Sequence, residues 1–482
     1  MAEAEAELIH TAHEHINLHD NETKPLYISK IVLDGDNGSS PLSDSLCRAI
    51  FGEALNQPLQ SVENSINIFE DIRKKLLFTG LFSDVNITLD KDPDTTSLSQ
   101  LNKEISESYG IETPLSTQAK VLLKRPDYNT ISGTTTLSDD NISLAGSKTW
   151  KNLLGQADAE NLRLGFNWNP VTSQWDGKDA RFSFSLPLVK VPSVRAIVEA
   201  EGIQRSLCSK PFVAPEDEHV QQQYAVGAGF QKRWICNISK SVPLLYTGVS
   251  VVRRNLNEFK PTASELYAPF KGPFDKTSFV TSFTHDTRRF IGNFPLSGCQ
   301  FQLNNEYVIS QSQGSSKQLN HDNNFNKTAF HLEHHASHWK DKITRSFQLQ
   351  GGGIYPLGSE AQTVHPLDRF QLGGLNSLKG FHLNGVGTGG QNFFYKLGLS
   401  ISHKLINTPT KSPLRLQYFF NLGNASSDYK TIFNSYAAAT GLSLVYKTPQ
   451  ALLDLTYAHP LTSRPQDLSK PGLSLGVSLT FF

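Results

Sequence analysis

The chain has no run of the ~18 or more apolar residues that a membrane-spanning helix needs, and its mean hydropathy is −0.33. Spanning helices are excluded, whereas spanning strands, whose alternation averages to a polar value, are not. Neither sign of charge is in excess. The formal net charge is +0, which removes a bulk electrostatic case for nucleic acid. Charged residues make up only 19%, against the roughly 25% usual for soluble domains. The four cysteines, Cys47, Cys208, Cys236 and Cys299, form no CxxC pair, so they read as isolated thiols rather than a disulfide scaffold or zinc module. Gly-x-Ser-x-Gly, P-loop and dinucleotide fingerprints are missing, and no Ser, His and Asp constellation stands out. An enzyme, a cofactor or a metal therefore has no residues to rest on. A repeat of roughly 40 residues, as a β-propeller requires, is not seen either. The amino terminus carries Glu3, Glu5 and Glu7 but no Lys or Arg before Lys24, unlike a secretory signal or an arginine-rich presequence. A membrane destination would thus be reached without a cleaved N-terminal address.

What is present is clearest in the last stretch, Gly472–Phe482. Leu473, Leu475, Val477, Leu479 and Phe481 alternate with Ser474, Gly476, Ser478 and Thr480. In a strand this gives one apolar face and one small, polar face. A flat, uncharged edge of that kind invites aggregation unless a partner covers it. Pairing last strand with first closes a barrel and removes the edge. The alternative is a core strand of a soluble sandwich.

Residues 1–24 form a polar, mobile tail whose His10, His13, His15 and His19 read as solvated side chains rather than metal ligands. Residues 25–125 read as a small α+β domain. Ile28–Leu33 is a strand, Ser43-Asp44-Ser45 caps a helix through Phe51, and Ser61–Leu77 is an amphipathic helix. Strands at Val85–Leu89 and Ala119–Leu123 follow. Residues 126–482 lose helical periodicity and give about sixteen candidate strands, from Thr130–Leu137 to the last. Arg163, Lys396, Arg415 and Asp454 fall mostly opposite the aliphatic face, as a polar lumen and an apolar lipid face require. Trp150, Trp168, Trp234 and Trp339 lie near strand ends, where an interfacial girdle would put them. His331, His334, His335 and His338 lie on a strand, which divides them between two faces and argues against a ligand set.

One internal segment, residues 356–390, is too long for an idle connection. Phe370, Leu372, Leu375, Leu378 and Phe381 argue against disorder, and Gly373, Gly374 and Gly380 permit close backbone approaches. An ordered loop folded back against the polar lumen is expected.

Two phrases carry a family resemblance. Phe78-Thr-Gly-Leu-Phe-Ser-Asp-Val85, after a strand and two helices, resembles a POTRA (polypeptide-transport-associated) domain. Phe370-Gln-Leu-Gly-Gly374 followed by Leu378-Lys379-Gly380-Phe381 resembles the signature loop of the BamA-type barrel-assembly superfamily. That family usually has arginine where this chain has Lys379, so a bidentate contact is not carried over; a cation reaching into the lumen is. Asn421 stands where the family tends to have aspartate, leaving Asp454 and Asn421 as candidate loop partners. Ser474, Gly476, Leu479 and Phe481 fit the family's terminal barrel signal. One POTRA-like module and no leader look most like the mitochondrial sorting-and-assembly barrel.

The resemblance implies an all-β transmembrane barrel with one N-terminal POTRA-like domain, integral to the mitochondrial outer membrane, with that domain in the intermembrane space. It implies an insertase for β-barrel precursor proteins that works with accessory subunits of an assembly complex and requires no ATP or metal. Exchange would occur at a lateral gate between Thr130, Ser132, Thr134, Thr135 and Thr136 of the first strand and the last strand, because small polar side chains contribute little packing there. A polypeptide-translocating pore on the same scaffold is the alternative, and a simple metabolite channel fits the N-terminal domain less well.

Overall fold

The computed structural model describes residues 25–35, 42–92, 115–124, 127–138, 141–170, 173–206, 220–236, 241–257, 270, 272–313, 324–339, 341–357, 364–405, 409 and 411–481. The expected N-terminal tail lies outside the described residues, as does Cys208. Two compact units divide the chain. One comprises Met1–Asn129 with Trp150–Ala159 and Leu186–Arg195; the other is the remainder.

In the first unit the elements are β1 (Pro25–Gly35), α1 (Asp44–Asn56), β2 (Leu59–Ser61), α2 (Val62–Phe78), β3 (Asp84–Lys91) and β4 (Leu115–Lys124). The sheet order is β2-β1-β4-β3, with β1 and β4 parallel at its centre. Leu46, Ile50 and Phe51 of α1 and Ile68, Phe69, Ile72 and Leu76 of α2 bury their apolar stripes together with Val85, Val121 and Leu123 of the sheet. Ser61 caps α2 through its hydroxyl, which accepts from the Asn64 amide at 3.2 Å. The expected Ser43 cap differs: Ser43 sits at the N-cap of α1 in extended conformation, but its side chain makes no capping bond and meets the Ser45 hydroxyl at 3.1 Å instead. The three-residue β2 was not expected, because so short an edge strand leaves no periodic trace.

The second unit is built on a closed barrel of sixteen long strands. Its first eight are β5 (Asn129–Ser138), β6 (Asn141–Lys151), β7 (Ala159–Asn169), β8 (Gln174–Leu188), β9 (Val191–Ser206), β10 (Val220–Arg233), β11 (Leu244–Asn257) and β12 (Gly272–Asp286). A three-residue β13 (Arg289–Ile291) lies in the hairpin before β14 (Phe294–Gln313), β15 (Phe325–His338) and β16 (Ile343–Pro356). Two short strands, β17 (Phe370–Leu372) and β18 (Val386–Gln391), pair only with each other and stand outside the barrel ring. The ring resumes with β19 (Phe393–Lys404), β20 (Leu414–Ser426), β21 (Ala437–Lys447), β22 (Ala451–Thr462) and β23 (Gly472–Phe481). Consecutive long strands are neighbours and β23 pairs antiparallel with β5, which abolishes the open edges of the sheet. We call the end of the barrel where β5 begins proximal and the opposite end distal.

Several strands run further than the sequence pattern indicates. β8 begins at Gln174, ahead of the alternation of Phe182, Phe184, Leu186 and Leu188 with Ser183 and Ser185. β9 extends to Ser206, past the candidate strand Val194–Glu201 that the sequence pattern marks. The pattern follows the apolar band, whereas the ladder continues where both faces are polar and alternation gives no signal. Within the band the two faces separate as lipid requires. On β22 Leu453, Leu455 and Tyr457 are exposed outward, while Thr456 is wholly buried on the inner face. Trp339 follows β15 at the proximal end and is 76% exposed; Trp168 sits one residue from the distal end of β7. The histidines of β15 divide as the alternation dictates. His331 and His335 flank Glu333 at 3.1 and 3.5 Å, and His334 and His338 lie on the other face.

Candidate functional site

The site is the long connection between β16 and β19. Its described part, residues 364–392, is held by three sets of contacts built from its own sequence.

The first is apolar. β17 and β18 form a small ribbon in which Leu372 faces Val386. These two, with Leu378 and Phe381, pack on Ala425, Ala437 and Ala439 of the inner wall, all nearly inaccessible. Alanine on the wall leaves room for the loop's larger side chains. Gly380 shows why no other residue serves there: its φ is +90°, and a Cβ would come within 2.7 Å of the Ala439 Cβ. Gly373 has φ +122°, and a Cβ there would meet the His382 carbonyl at 2.4 Å. Phe370 stacks on Phe394 at 4.6 Å between centroids.

The second is a cation on the β21–β22 wall. Lys379 Nζ donates to Asp454 Oδ2 at 2.8 Å, to Ser443 Oγ at 2.9 Å and to Thr456 Oγ1 at 3.2 Å. Its ammonium also lies 5.2 Å from the centre of the Phe419 ring. A lysine has three donors, and all three find oxygen acceptors here. Asn421 is not one of those acceptors. It faces Gly398 of the adjacent strand, one strand further from Asp454.

The third is an anion on the opposite side of the loop's sequence. Asp368 receives both terminal nitrogens of Arg254 on β11, at 2.7 and 2.9 Å, and Lys276 Nζ of β12 at 2.8 Å. Lys327 Nζ of β15 reaches the Asp368 carbonyl at 2.7 Å. Side-chain exposures of 5%, 7% and 3% for Asp368, Arg254 and Lys276 place this triad away from solvent. Burial alone would raise the Asp368 carboxyl, but Arg254 and Lys276 hold it well below the usual carboxylate range. Beside it His365 packs between Phe270 and Phe274, at 4.7 and 5.4 Å. Burial and then the Arg254 charge push the His365 imidazole down to about 3. The sequence reading missed this cluster. Its only signal was one acid, Asp368, beside His365 and Arg369 in the loop phrase, and basic residues at single inward positions of three strands.

The loop is also stitched to the connection between β22 and β23. His382 N donates to the Leu468 carbonyl at 3.0 Å, Leu468 N to that of Gly385 at 2.8 Å, and Lys470 N to that of Gly380 at 2.8 Å. Asp467 accepts from the Gly387 amide at 3.2 Å and from the Arg464 guanidinium at 2.9 Å. Leu375 lies over Gly476 on β23, so close that a Cβ there would be 2.5 Å from its Cδ2.

The remaining sequence-derived residues sit at the join of β23 and β5. Among the described residues it pairs over five positions, Val477 with Leu137 through Phe481 with Gly133. The other long-strand pairs from β10 to β23 run over eight to fourteen. Thr134 faces Thr480 and Thr136 faces Ser478, with Leu479 and Phe481 opposite Thr135 and Gly133. Thr130 and Ser132 are not among the described pairs, and the Ser132 hydroxyl meets Ser147 of β6 at 2.7 Å. Among the described residues Ser474 and Gly476 pair with Thr456 and Asp454 of β22.

A closed sixteen-stranded transmembrane barrel whose inner wall is bridged by an ordered, glycine-bearing loop defines the class: a membrane barrel with an occupied lumen. Residues 152–481 match the Omp85 superfamily domain, and the chain belongs to that superfamily. It is similar to BamA from Haemophilus ducreyi lacking POTRA domains 1–3, with a TM-score of 0.67 at 14% identity over 95% of this chain and 85% of that one. Among curated proteins it is 31% identical over 157 residues to the sorting assembly machinery 50 kDa subunit of Saccharomyces cerevisiae. It is 29% identical over 153 residues to a SAM50-like protein of Schizosaccharomyces pombe. Each of these two alignments covers 29% of this chain and 32% of the relative, so the match spans about a third of the curated relatives' length.

Proposed function

We propose that the protein folds β-barrel precursors and inserts them into the mitochondrial outer membrane, without an enzymatic step, by strand exchange at the β5–β23 seam. The observation that carries this reading is the short seam: five paired positions among the described residues, against eight for β23 with its other neighbour β22. In lipid every backbone polar group needs a partner, so the Asn129–Ser132 and Gly472–Gly476 edges, beyond the described pairs, are the places where an incoming strand gains most by adding itself. Burial of apolar strands supplies the free energy, and no nucleotide is required. The α+β unit acts in this scheme as a single POTRA-like module in the intermembrane space, offering strand edges to precursors, and accessory subunits complete the assembly complex. Lys379 and its loop brace the β21–β22 wall beside the seam while the seam opens. A translocating pore is less well supported, because the loop occupies the lumen through which a chain would pass.

Cysteine at Thr134 tests the proposal. Thr134→Cys is expected to crosslink to cysteines in the terminal strand of an arriving precursor, with register that shifts residue by residue. Crosslinks found only at lumen positions such as Ser443 or Gln348 would favour the pore instead.

A further inference from the structure

The outer wall of the barrel carries a hollow that the insertion scheme does not use. It lies on the lipid face of β15, β16, β19 and β20 and has a volume of about 750 Å³, within the range of small-molecule sites. The ladder registers stack the outward side chains of these four strands in rows, and the hollow is lined mainly by the second and third. The row nearest the proximal turn joins His338, Ile343, His403 and Leu416; the next joins Ala336, Arg345, Ile401 and Tyr418; the third joins His334, Phe347, Leu399 and Phe420. Ala336, a small side chain in this lining, lies between His334 and His338 along β15 and opposite Arg345.

Among the residues that line the hollow Arg345 is the one with a permanent charge, and the adjoining turn holds both signs, Asp341 and Lys342, with Asp341 accepting from the Ser337 hydroxyl at 2.8 Å. Arg345, His334 and His338 are exposed. Among the described residues no ion pair joins Arg345 or Lys342 to a carboxylate, and the Arg345 guanidinium donates to Nε2 of the His338 ring. Glu333, on the same strand, points into the lumen, where it bonds Arg288 at 2.9 Å and Gln348 at 2.9 Å. An arginine on the lipid face is uncommon, and here it stands two residues from the strand end, beside the exposed Trp339 that marks the interface. Above it the hollow is apolar and aromatic, with Tyr418 and Leu399 exposed toward lipid.

We propose that this hollow binds an anionic phospholipid of the adjoining leaflet. Arg345 and His338 take the phosphate, since a guanidinium offers a planar fork to its oxygens, and an acyl chain lies over Ile401, Tyr418, Leu399 and Phe420. The arrangement is amphipathic in the same direction as the lipid itself, charge at the interface and hydrocarbon toward the bilayer centre. The site rests on the barrel's placement in a membrane and not on the insertion reading, so each stands or falls separately.

The test uses the full-length protein in phosphatidylcholine vesicles containing phosphatidylglycerol brominated on its acyl chains, with Trp339 as reporter. Brominated phosphatidylglycerol is expected to quench tryptophan emission at a lower mole fraction than brominated phosphatidylcholine, and Trp339→Phe to remove that excess. Arg345→Gln should raise the required mole fraction about fivefold, the effect of one basic residue at a membrane surface, and Arg345→Lys should retain most of the preference. Ala336→Phe fills the hollow without altering charge and should abolish the preference as well. Equal quenching by both lipids, or a preference that survives Arg345→Gln and Ala336→Phe, overturns the proposal. Loss of a co-purifying polypeptide in Arg345→Gln with unchanged lipid preference also overturns it and makes the wall a protein-docking face.

Discussion

A disulfide between Thr134→Cys and Thr480→Cys, in a chain whose four native cysteines are replaced, is expected to stop precursor insertion while leaving the barrel folded. The two positions are register partners across the seam, and antiparallel partners lie about 4.5–5.5 Å apart at Cα, within the span a disulfide bridges. Oxidation converts the shortest ladder in the described registers into a covalent one, so an arriving strand finds no edge to displace. Insertion into vesicles should fall to the level seen without protein and return on reduction. A control disulfide at Thr247→Cys and Thr281→Cys, partners across β11 and β12, should leave insertion unchanged. If the oxidised seam variant still inserts precursors at the normal rate, exchange at this seam is not the mechanism.

The second large effect is expected at Asp368. Asp368→Ala leaves Arg254 and Lys276 buried without the carboxylate that both bond, and breaking a buried pair from one side costs about 3–5 kcal/mol. Asp368→Leu combined with Arg254→Met removes the acid and one of its two cations, leaving Lys276 paired with Glu306 at 2.7 Å, and should recover part of that loss. Midpoints of heat-induced unfolding, read as the mobility shift of the folded barrel on gels, measure both. No difference between Asp368→Ala and the parent would show that the anchor does not hold the loop. Acid should weaken the same anchor. His365 has a folded-state value of about 3 against roughly 6.5 in an unfolded chain, so the unfolded state takes up a proton first. Stability contributed by neutral His365 is complete above about 6.5 and declines as pH falls toward about 3. The Asp368 carboxylate adds a loss in the same direction at still lower pH, since its value in the fold is depressed. His365→Phe should flatten the first part of that profile.

Most of the architecture was legible because a barrel writes itself into alternation: Leu453, Leu455 and Tyr457 against Asp454 and Thr456 is readable without a neighbour. Strand ends were less so, since Gln174–Arg181 and Gly202–Ser206 continue the ladder after the apolar band has finished. Side-chain partners across the lumen depend on closure and register, which no local window contains. Lys379 meets Asp454 across 75 positions and Asp368 meets Arg254 across 114. An acidic partner for the lysine was worth naming from the loop phrase, whereas Ser443 and Thr456, two ordinary polar residues on inward positions, carried no mark of their role. The Asp368 cluster was silent for the same reason, each cation being one inward residue on a different strand. Ser43 shows the local limit. A serine before a helix predicts a cap, and only the side-chain rotamer decides whether the hydroxyl turns to the amides or, as here, to Ser45.

Amide hydrogen exchange of the protein in a lipid bilayer tests the central claim most directly. The amides of Gly133–Leu137 and Val477–Phe481 should exchange faster than those of Thr247–Val251, whose strand is laddered along its length on both sides, and faster still when a precursor peptide is added. Equal protection at the two places, unchanged by the peptide, would contradict a seam that opens.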